Sequence, residues 1–309
     1  MTLQQMHYAL TIDKHGSMNK AADKLGISQP TLTSAMRELE KEIGFEVFLR
    51  THKGAVTTAE GAEFLRSIGL IYRQYELVCE KYTDKSMKRK FGVSTQHYSF
   101  AVNAFIETVK HFDTLEFEFA IRETETLKVI EDVGNLKSEI GVLYISNFNR
   151  RPINKLLDEN ELSFTELIKC KAYVYMWKGH PLAKETSLSL EQLAPYPCLF
   201  FEQNGHNSHM YAEEILSENI YPRSIKATDR AAMGELMQKL NGYTLCSGIL
   251  CREFSSDYVV VPYRDDTDNP NSIMEIGYIR KKHGSLSEIG ERYIDELKAS
   301  LELNSKDNI

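Results

Sequence analysis

Four side chains near the start of the chain carry the chemistry needed to read the edges of base pairs. Gln29, Thr33, Ser34 and Arg37 bring an amide, two hydroxyls and a guanidinium to one side of the segment Ser28–Glu40. A surface helix usually fills such positions with long Glu and Lys chains. A face of short hydrogen-bonding groups can approach another surface as closely as a helix must in the DNA major groove. The opposite side is apolar: Leu32, Met36, Leu39 and Ile43 recur at i, i+4, i+7 and i+11, one continuous core stripe of an amphipathic helix. Pro30 falls in the first turn, where its missing N–H removes nothing the helix needs.

The neighbouring elements position this face. Leu3, Met6, Ala9 and Leu10 mark a first helix, which Gly16-Ser17 breaks. Ser17 is placed as the N-cap of a second helix holding Met18, Ala21, Ala22 and Leu25, and Gly26 as its C′ residue. Ile27-Ser28 leads straight into the third helix, so the last two helices are joined by a very short turn, the helix-turn-helix pattern. After Gly44, Phe45–Arg50 and Ala55–Thr57 read as two short strands around Thr51-His52-Lys53-Gly54. This is a wing that presents Arg50, His52 and Lys53 to a phosphate backbone.

The run Gly16-Ser17, Ala21-Ala22, Leu25, Ile27-Ser28-Gln29-Pro30, Leu32-Thr33, Leu39-Glu40, Gly44, Phe48, Arg50, Thr57 and Gly61 resembles the DNA-binding domain of LysR-type transcriptional regulators over about the first 65 residues. The resemblance implies that Gln29, Pro30, Thr33, Ser34 and Arg37 lie at the groove and that Lys53 meets the minor groove or backbone. With their neighbours, the candidate DNA contacts are Ser28, Gln29, Pro30, Thr31, Thr33, Ser34, Arg37, Arg50, His52 and Lys53. Many members carry Arg or Lys at the position of Ser34, and a hydroxyl cannot make the bidentate guanine contact of an Arg.

Length, charge and cysteine usage agree with this reading. A chain of 309 residues has room for two or three domains with ample core. No apolar run approaches the ~18–20 residues of a membrane span, and the N-terminus has no charged-then-apolar signal pattern, so a cytoplasmic protein is expected. Residues 1–90 hold 14 Lys and Arg against 11 Asp and Glu, and the remainder 23 against 33, so a mildly basic end is joined to an acidic body. That division suits a protein that touches nucleic acid at one end only. Five cysteines, Cys79, Cys170, Cys198, Cys246 and Cys251, are scattered with no CxxC pair and read as free thiols.

From Thr57 a long helix is expected, with Thr57-Thr58-Ala59-Glu60 as a capping box. Leu65, Ile68, Tyr72, Tyr75, Cys79 and Tyr82 are spaced 3, 4, 3, 4, 3, and Phe64, Ile71 and Val78 form a second row. This heptad seam is the kind that pairs helices between subunits, and two-fold symmetry suits a palindromic operator. Asp84–Lys90 reads as a charged, solvated hinge.

Beyond the hinge the pattern becomes α/β. Strands are expected at Phe91–Ser94, Glu116–Arg122, Glu139–Ile145, Tyr173–Trp177, Cys198–Phe201, Tyr243–Cys246, Tyr258–Val261 and Ile273–Ile279. Helices are expected near Phe100–Phe112, Thr126–Asn135, Ser208–Ser217, Ala231–Leu240 and Ser287–Leu301. The alternation implies parallel-rich sheets covered by helices, in two lobes joined by crossing strands. Gly141, His180-Pro181-Leu182-Ala183, Leu193, Tyr196-Pro197, Gly242 and Ser247-Gly248-Ile249 look like landmarks of the LysR effector domain, which has the periplasmic-binding-protein-like architecture. Glu139 stands where most members carry Asp. The chain therefore divides into a winged helix-turn-helix domain (1–57), a linker helix and hinge (58–90) and an effector domain (91–309). Lobe I of the effector domain is 91–162 with 267–309, and lobe II is 163–266.

Ligands of α/β lobes bind at the carboxyl ends of strands, often against free N–H groups at helix starts. The loop Ser94-Thr95-Gln96-His97 lies at such a place and offers hydroxyls and an amide without fixed charge. By resemblance it is the chief effector loop, with Thr95 and Gln96 its foremost ligand groups. Thr124, Tyr144, Phe201 and Gln203 should face the same cleft, followed by Thr228 and Ser247. The expected ligand is a small polar or anionic metabolite.

Two other chemistries are open. His206, His209 and Glu213 could form a metal site at a helix start, and Cys198 with Cys246 or Cys251 a redox switch, although no basic residue adjoins Cys198. No GxSxG, HExxH, phosphate loop or supported carboxylate pair is present, so no catalytic residue, resident cofactor or metal is assigned. The expectation is a homodimeric or homotetrameric DNA-binding regulator controlled by a small effector. The alternative is a solute-binding or enzymatic C-terminal half with N-terminal helices used for assembly.

Overall fold

The computed structural model describes residues 1–51, 54–83, 89–113, 116–204, 208–249, 257–265 and 269–305. The chain forms two units, Met1–Met87 and Lys88–Ile309.

In the first unit each helix is bounded by the residue chemistry that its sequence carries. Helix α1 (Leu3–His15) starts with a capping box between Thr2 and Gln5 and ends at Gly16, φ 61°. Ser17 caps α2 (Met18–Leu25), and Gly26, φ 66°, closes it. Ser28 caps α3 (Gln29–Ile43), whose first turn contains Pro30. Strands β1 (Phe48–Thr51) and β2 (Gly54–Thr57) pair antiparallel, with Leu49 opposite Val56. Ala9, Ile12, Ala21, Leu32, Met36, Leu39 and Val47 are buried together as the core.

Helix α4 (Ala59–Thr83) departs from two expectations. Its cap is Thr58, whose Oγ1 accepts from Gly61 N at 2.8 Å, while Thr57 donates to Asp13 Oδ1 at 2.6 Å, so the Thr57–Glu60 capping box does not form. A side chain at Gly61 would put Cβ 2.3 Å from Val47 O, which explains the glycine. The heptad seam is also divided. Leu65 and Ile68 are buried in the unit's own core, and Tyr72 stacks on His7 with centroids 5.0 Å apart. Among the described residues of α4, the large apolar ones left exposed are Ile71, Tyr75 and Val78, at i, i+4 and i+7. A helix that follows the wing directly must spend its first turns covering α1, and core and seam share the same period. The side chain of Tyr82 and residues 84–88 of the expected hinge lie outside the described residues, while Arg89 and Lys90, also expected in the hinge, open the strand Arg89–Thr95 of the second unit.

The second unit contains two five-stranded sheets. Along the chain come β3 (Arg89–Thr95), α5 (Ser99–His111), β4 (Phe117–Glu123), α6 (Thr126–Gly134), β5 (Ile140–Ile145), α7 (Arg150–Glu159) and β6 (Leu162–Lys171). Next are β7 (Tyr173–Trp177), α8 (Leu190–Leu193), β8 (Cys198–Phe201), β9 (Ser224–Ala227), α9 (Arg230–Leu240), β10 (Tyr243–Cys246) and β11 (Tyr258–Pro262). Strand β12 (Ile273–Lys281) and α10 (Glu288–Ser305) complete the unit. The sheets run β4-β3-β5-β12-β6 and β11-β7-β10-β8-β9.

Both sheets are mixed rather than parallel-rich. Strand β3 pairs parallel with β4 and β5, and β8 with β9 and β10. Strand β12 runs antiparallel to β5 and β6, and β7 to β10 and β11. The expected lobe boundary at 163 moves, because β6 pairs along its whole length with β12 and belongs to the first sheet. Its pattern is hard to read because this edge strand carries Glu166 and Lys169 on an open face. Strand β9 and helices α7 and α8 were likewise not anticipated. The helix expected at Ser208–Ser217 reduces to one 3-10 turn, Ser208–Tyr211. Glu139 has a structural use: its carboxylate accepts from Ser287 N and Oγ, at 2.6 and 2.8 Å, just before α10.

Candidate functional site

The first unit presents the expected face of α3 to solvent. Ser28, Gln29, Pro30, Thr31, Ser34 and Arg37 are exposed, and Thr33 is half-buried. Two of the hydroxyls do capping work: Ser28 Oγ accepts from Thr31 N at 3.2 Å and lies 2.7 Å from Thr31 Oγ1. Gln29 Nε2 donates to Thr33 Oγ1 at 2.9 Å, which holds the amide across the helix face. The wing is fixed to this helix. Glu40 Oε1 accepts from the N–H groups of Val47 and Phe48 at 2.9 and 3.2 Å. Ala55 N donates to Gly16 O at 3.0 Å, and Gly54, φ 130°, leaves room for that carbonyl, which a Cβ would meet at 2.3 Å. Arg50 stands in β1, and His52 and Lys53 at the wing tip lie outside the described residues.

In the second unit the strand-end loop is spent internally. Ser94, Thr95 and Gln96 are fully buried. Ser94 Oγ donates to Asp132 Oδ2 at 2.8 Å, and Thr95 Oγ1 to Gln96 O at 2.8 Å. Gln96 donates to Thr126 Oγ1 at 2.6 Å and accepts from Tyr144 N at 3.0 Å and the Tyr98 hydroxyl at 2.9 Å. The half-buried Thr124 donates its N–H to Thr95 O at 2.9 Å. The buried Tyr144 hydroxyl donates to Glu214 O at 3.0 Å, and Thr228 is exposed beyond β9.

The lobes meet through Glu213. Its Oε2 accepts from the backbone N–H of His97 at 2.7 Å and lies 2.8 Å from the ring Nδ1; its Oε1 accepts from Gln203 Nε2 at 3.0 Å. Gln203 Oε1 in turn accepts from Thr126 N, at the start of α6, at 2.9 Å. The His97 ring stacks on Phe201 at 3.7 Å with 4° between planes. At the rim, Arg230 makes a bidentate pair with Glu123, with Nε 2.8 Å from Oε2.

Beside this clasp lies a cavity of about 230 Å³. Of the ten sequence-chosen effector residues, His97, Phe201 and Ser247 line it. Its remaining walls are largely apolar: Tyr98 and Phe100 from the start of α5, Tyr175, Met233, Met237, Ile249 and Tyr258. Glu214 and Thr244 also line it, and Glu214 Oε2 and Thr244 Oγ1 are buried without a hydrogen-bond partner. Glu214 Oε1 accepts from Phe201 N at 2.8 Å. Burial, reinforced by the adjacent Glu213 charge, holds the Glu214 carboxyl well above the usual carboxylate range. Sequence reasoning reached Glu213 only as a metal candidate and missed Glu214. The available signal was two adjacent carboxylates followed by Ile215-Leu216, both of which are buried.

The other two chemistries find little support. Glu213 is engaged by His97 and Gln203, His206 lies outside the described residues, and no group of three metal-binding side chains occurs among the described residues. Burial pushes the thiols of Cys170 and Cys246 up to about 11 and about 12, and that of Cys198 well above its ordinary value. Cys251 lies outside the described residues. No helix among the described residues is long and apolar enough to cross a membrane.

Comparison with known proteins gives these two units a common context. Residues 3–62 match the bacterial regulatory helix-turn-helix protein model of the lysR family, and residues 116–302 match the LysR substrate binding domain. The chain is 28% identical over 235 residues to the RuBisCO operon transcriptional regulator of Allochromatium vinosum, covering 71% of this chain and 69% of that one. It is 24% identical over 312 residues to the malolactic fermentation system transcriptional activator of Lactococcus lactis, covering 96% and 98%. Among solved structures, the LysR family regulator CbnR has the same fold, with a TM-score of 0.56 at 16% identity, covering 97% of this chain and 99% of that one. These matches set aside an enzymatic C-terminal half with N-terminal helices kept for assembly. The chain belongs to the LysR family and is a DNA-binding transcriptional regulator with a C-terminal domain that binds small-molecule effectors.

Proposed function

We propose that this regulator reads a palindromic operator as a homo-oligomer in the cytoplasm, and that a small molecule in the cavity beside His97 sets its operator binding. The observation that carries this reading is the cavity at the strand ends of the second unit, lined by both lobes. A ligand there touches α5 from one lobe and α9 from the other, so it stabilises one lobe arrangement over another by its differential contacts. The cavity lining revises the expected ligand contacts. Thr95 and Gln96 act as scaffold, and His97, Phe201 and Ser247 act at the ligand with Glu214 and Thr244.

In the DNA-binding half, the exposed Gln29, Ser34 and Arg37 are the base-reading groups, Thr33 orients Gln29, and Ser28 with Thr31 organises the helix start. Pro30 sets the close approach, and Arg50, His52 and Lys53 serve the phosphate backbone. The domain division is 1–57, 58–88 and 89–309, since β3 opens at Arg89, with the lobes exchanging at Ala172. Gel-shift titration on the chain's own upstream region tests the reading. A salt-sensitive shift on a palindrome is expected, and it should respond to a metabolite extract in the wild type but not in Gly234→Leu, which fills the cavity from α9. An equal response in both proteins excludes the cavity.

A further inference from the structure

Alternate side chains of β8 face opposite ways. Leu199 is buried with Met233 and Met237 of α9, whereas Phe200 stands on the other face beside Lys226, its register partner on β9. Ser224 lies on that same face, two residues before Lys226. The chain connecting β8 to β9 returns over this face through Ala212, Ser217 and Asn219 to Tyr221, whose ring meets Phe200 edge-on with centroids 5.3 Å apart. The cover is incomplete, and a second cavity of about 210 Å³ remains between the connecting chain and the two strands.

The charge around this cavity is of one sign. Among the described residues of its wall, Lys226 and His209 are basic and none is acidic. The carboxylates of the connecting chain turn to other partners: Glu213 to His97 and Gln203, Glu214 to Phe201 N, and Glu218 to Asn271. Lys226 is exposed, and no carboxylate pairs with it among the described residues. An ammonium beside the rings of Phe200, Phe201 and Tyr221 suits an anion carried on a flat apolar body. A cavity of ~150 Å³ already accepts one benzene ring. Phe201 and Gln203 belong to this wall and also to the interlobe clasp, the one stacked on His97 and the other bonded to Glu213 and Thr126. An occupant therefore touches the clasp without entering the cavity beside His97.

We propose that this second cavity binds a small aromatic anion, a carboxylate or a phosphate monoester on a single ring, with Lys226 meeting the charge and Phe200 and Tyr221 the ring. The assignment does not depend on the cavity beside His97 being the effector site.

Titration calorimetry of the full chain tests it in the Gly234→Leu background, where the first cavity is filled. The probes are benzoate, phenyl phosphate and the uncharged benzamide, and the tighter of the two anions identifies the acid group. At least one anion should bind with a Kd of about 1 mM or tighter, and benzamide about tenfold or more weakly. Lys226→Met, which keeps the stem and removes the charge, should weaken that anion about fivefold or more, and Lys226→Arg should retain it. Ser224→Leu, which fills the cavity from the exposed side of β9, should abolish binding. The same titrations on the otherwise wild-type chain should lose one class of site with Ser224→Leu, which keeps the test open if Gly234→Leu does not fold. The proposal is overturned if neither anion binds, if benzamide binds as tightly, or if the anion is indifferent to Lys226→Met and Ser224→Leu. None of these results bears on the cavity beside His97. Denaturation curves of each variant separate lost binding from lost folding.

Discussion

The backbone N–H of His97 donates to Glu213 Oε2 at 2.7 Å, and the ring Nδ1 of the same residue lies 2.8 Å from the same oxygen. One carboxylate oxygen from one lobe thus holds both the backbone and the side chain of a loop in the other. The Gln203 amide holds its second oxygen at 3.0 Å.

Glu213→Ala should therefore be costly, since it leaves a buried N–H and a buried amide without an acceptor. The expected loss is roughly 2–4 kcal/mol, which lowers the Tm of the effector unit by on the order of 5–10 °C. Calorimetric melting of wild type and variant measures it. A change within error means the clasp adds nothing to the fold.

Glu214 gives a pH dependence of known sign. The fold raises its carboxyl above the ordinary value of 4.5, so the stability it contributes is complete below that value and is lost as pH rises toward the native one. Glu214→Gln cannot ionise. The Tm of the variant relative to wild type should rise from about pH 4.5 upward. A flat or falling difference would show that the carboxyl is solvated.

The helix face was legible because α3 answers to local rules: Ser28 caps it, Pro30 enters at its first turn and Leu32, Met36 and Leu39 recur on one side. Most of the α/β alternation was legible for the same reason. The cavity lining was read less well. Thr95 and Gln96 look like ligand groups because they are polar and stand at a strand end, yet tertiary partners consume them: Gln96 bonds Thr126 and Tyr144, 30 and 48 residues away. Glu213 and Glu214 were hidden for the converse reason, because a carboxylate pair reads as solvated surface until the chain is folded. The seam on α4 failed midway, since the spacing that buries Ile68 in its own unit also continues to the exposed Tyr75.

On α3, Gln29→Ala should flatten sequence preference, with little loss on random DNA. Arg37→Ala should remove about 1–3 kcal/mol at the base it reads. Binding titrations on a specific and a scrambled duplex at several salt concentrations distinguish the two roles. Equal losses on both duplexes from Gln29→Ala contradict a base-reading role.

For assembly, the exposed row Ile71, Tyr75 and Val78 is the part of α4 left for a partner helix. Val78→Glu should dissociate the oligomer at micromolar concentration, because a charge at a helix–helix seam costs several kcal/mol. Ile68→Glu should instead unfold the first unit. Sedimentation with circular dichroism reads both, and an intact Val78→Glu oligomer places the seam elsewhere.

A redox role for Cys246 can be checked by its reactivity. With its thiol near 12, the reactive thiolate at mildly alkaline pH is scarcer than for an ordinary cysteine by on the order of a hundredfold or more. Iodoacetamide labelling followed by peptide mass spectrometry should find Cys246 protected in the native chain and labelled in urea. Rapid native labelling would reopen the switch.

The two lobes are joined more narrowly than their sizes suggest. Strand β6 ends at Lys171 in one sheet and β7 begins at Tyr173 in the other, so the buried Ala172 alone separates them. The chain just past β11 is tied at the same point, where Tyr263 N donates to Ala172 O at 3.1 Å. Two passages of chain pinned at a single residue form a pivot. Rotation about that point is the motion such a connection leaves to the lobes, and on the proposed reading Ala172 is the fulcrum against which a ligand beside His97 would work.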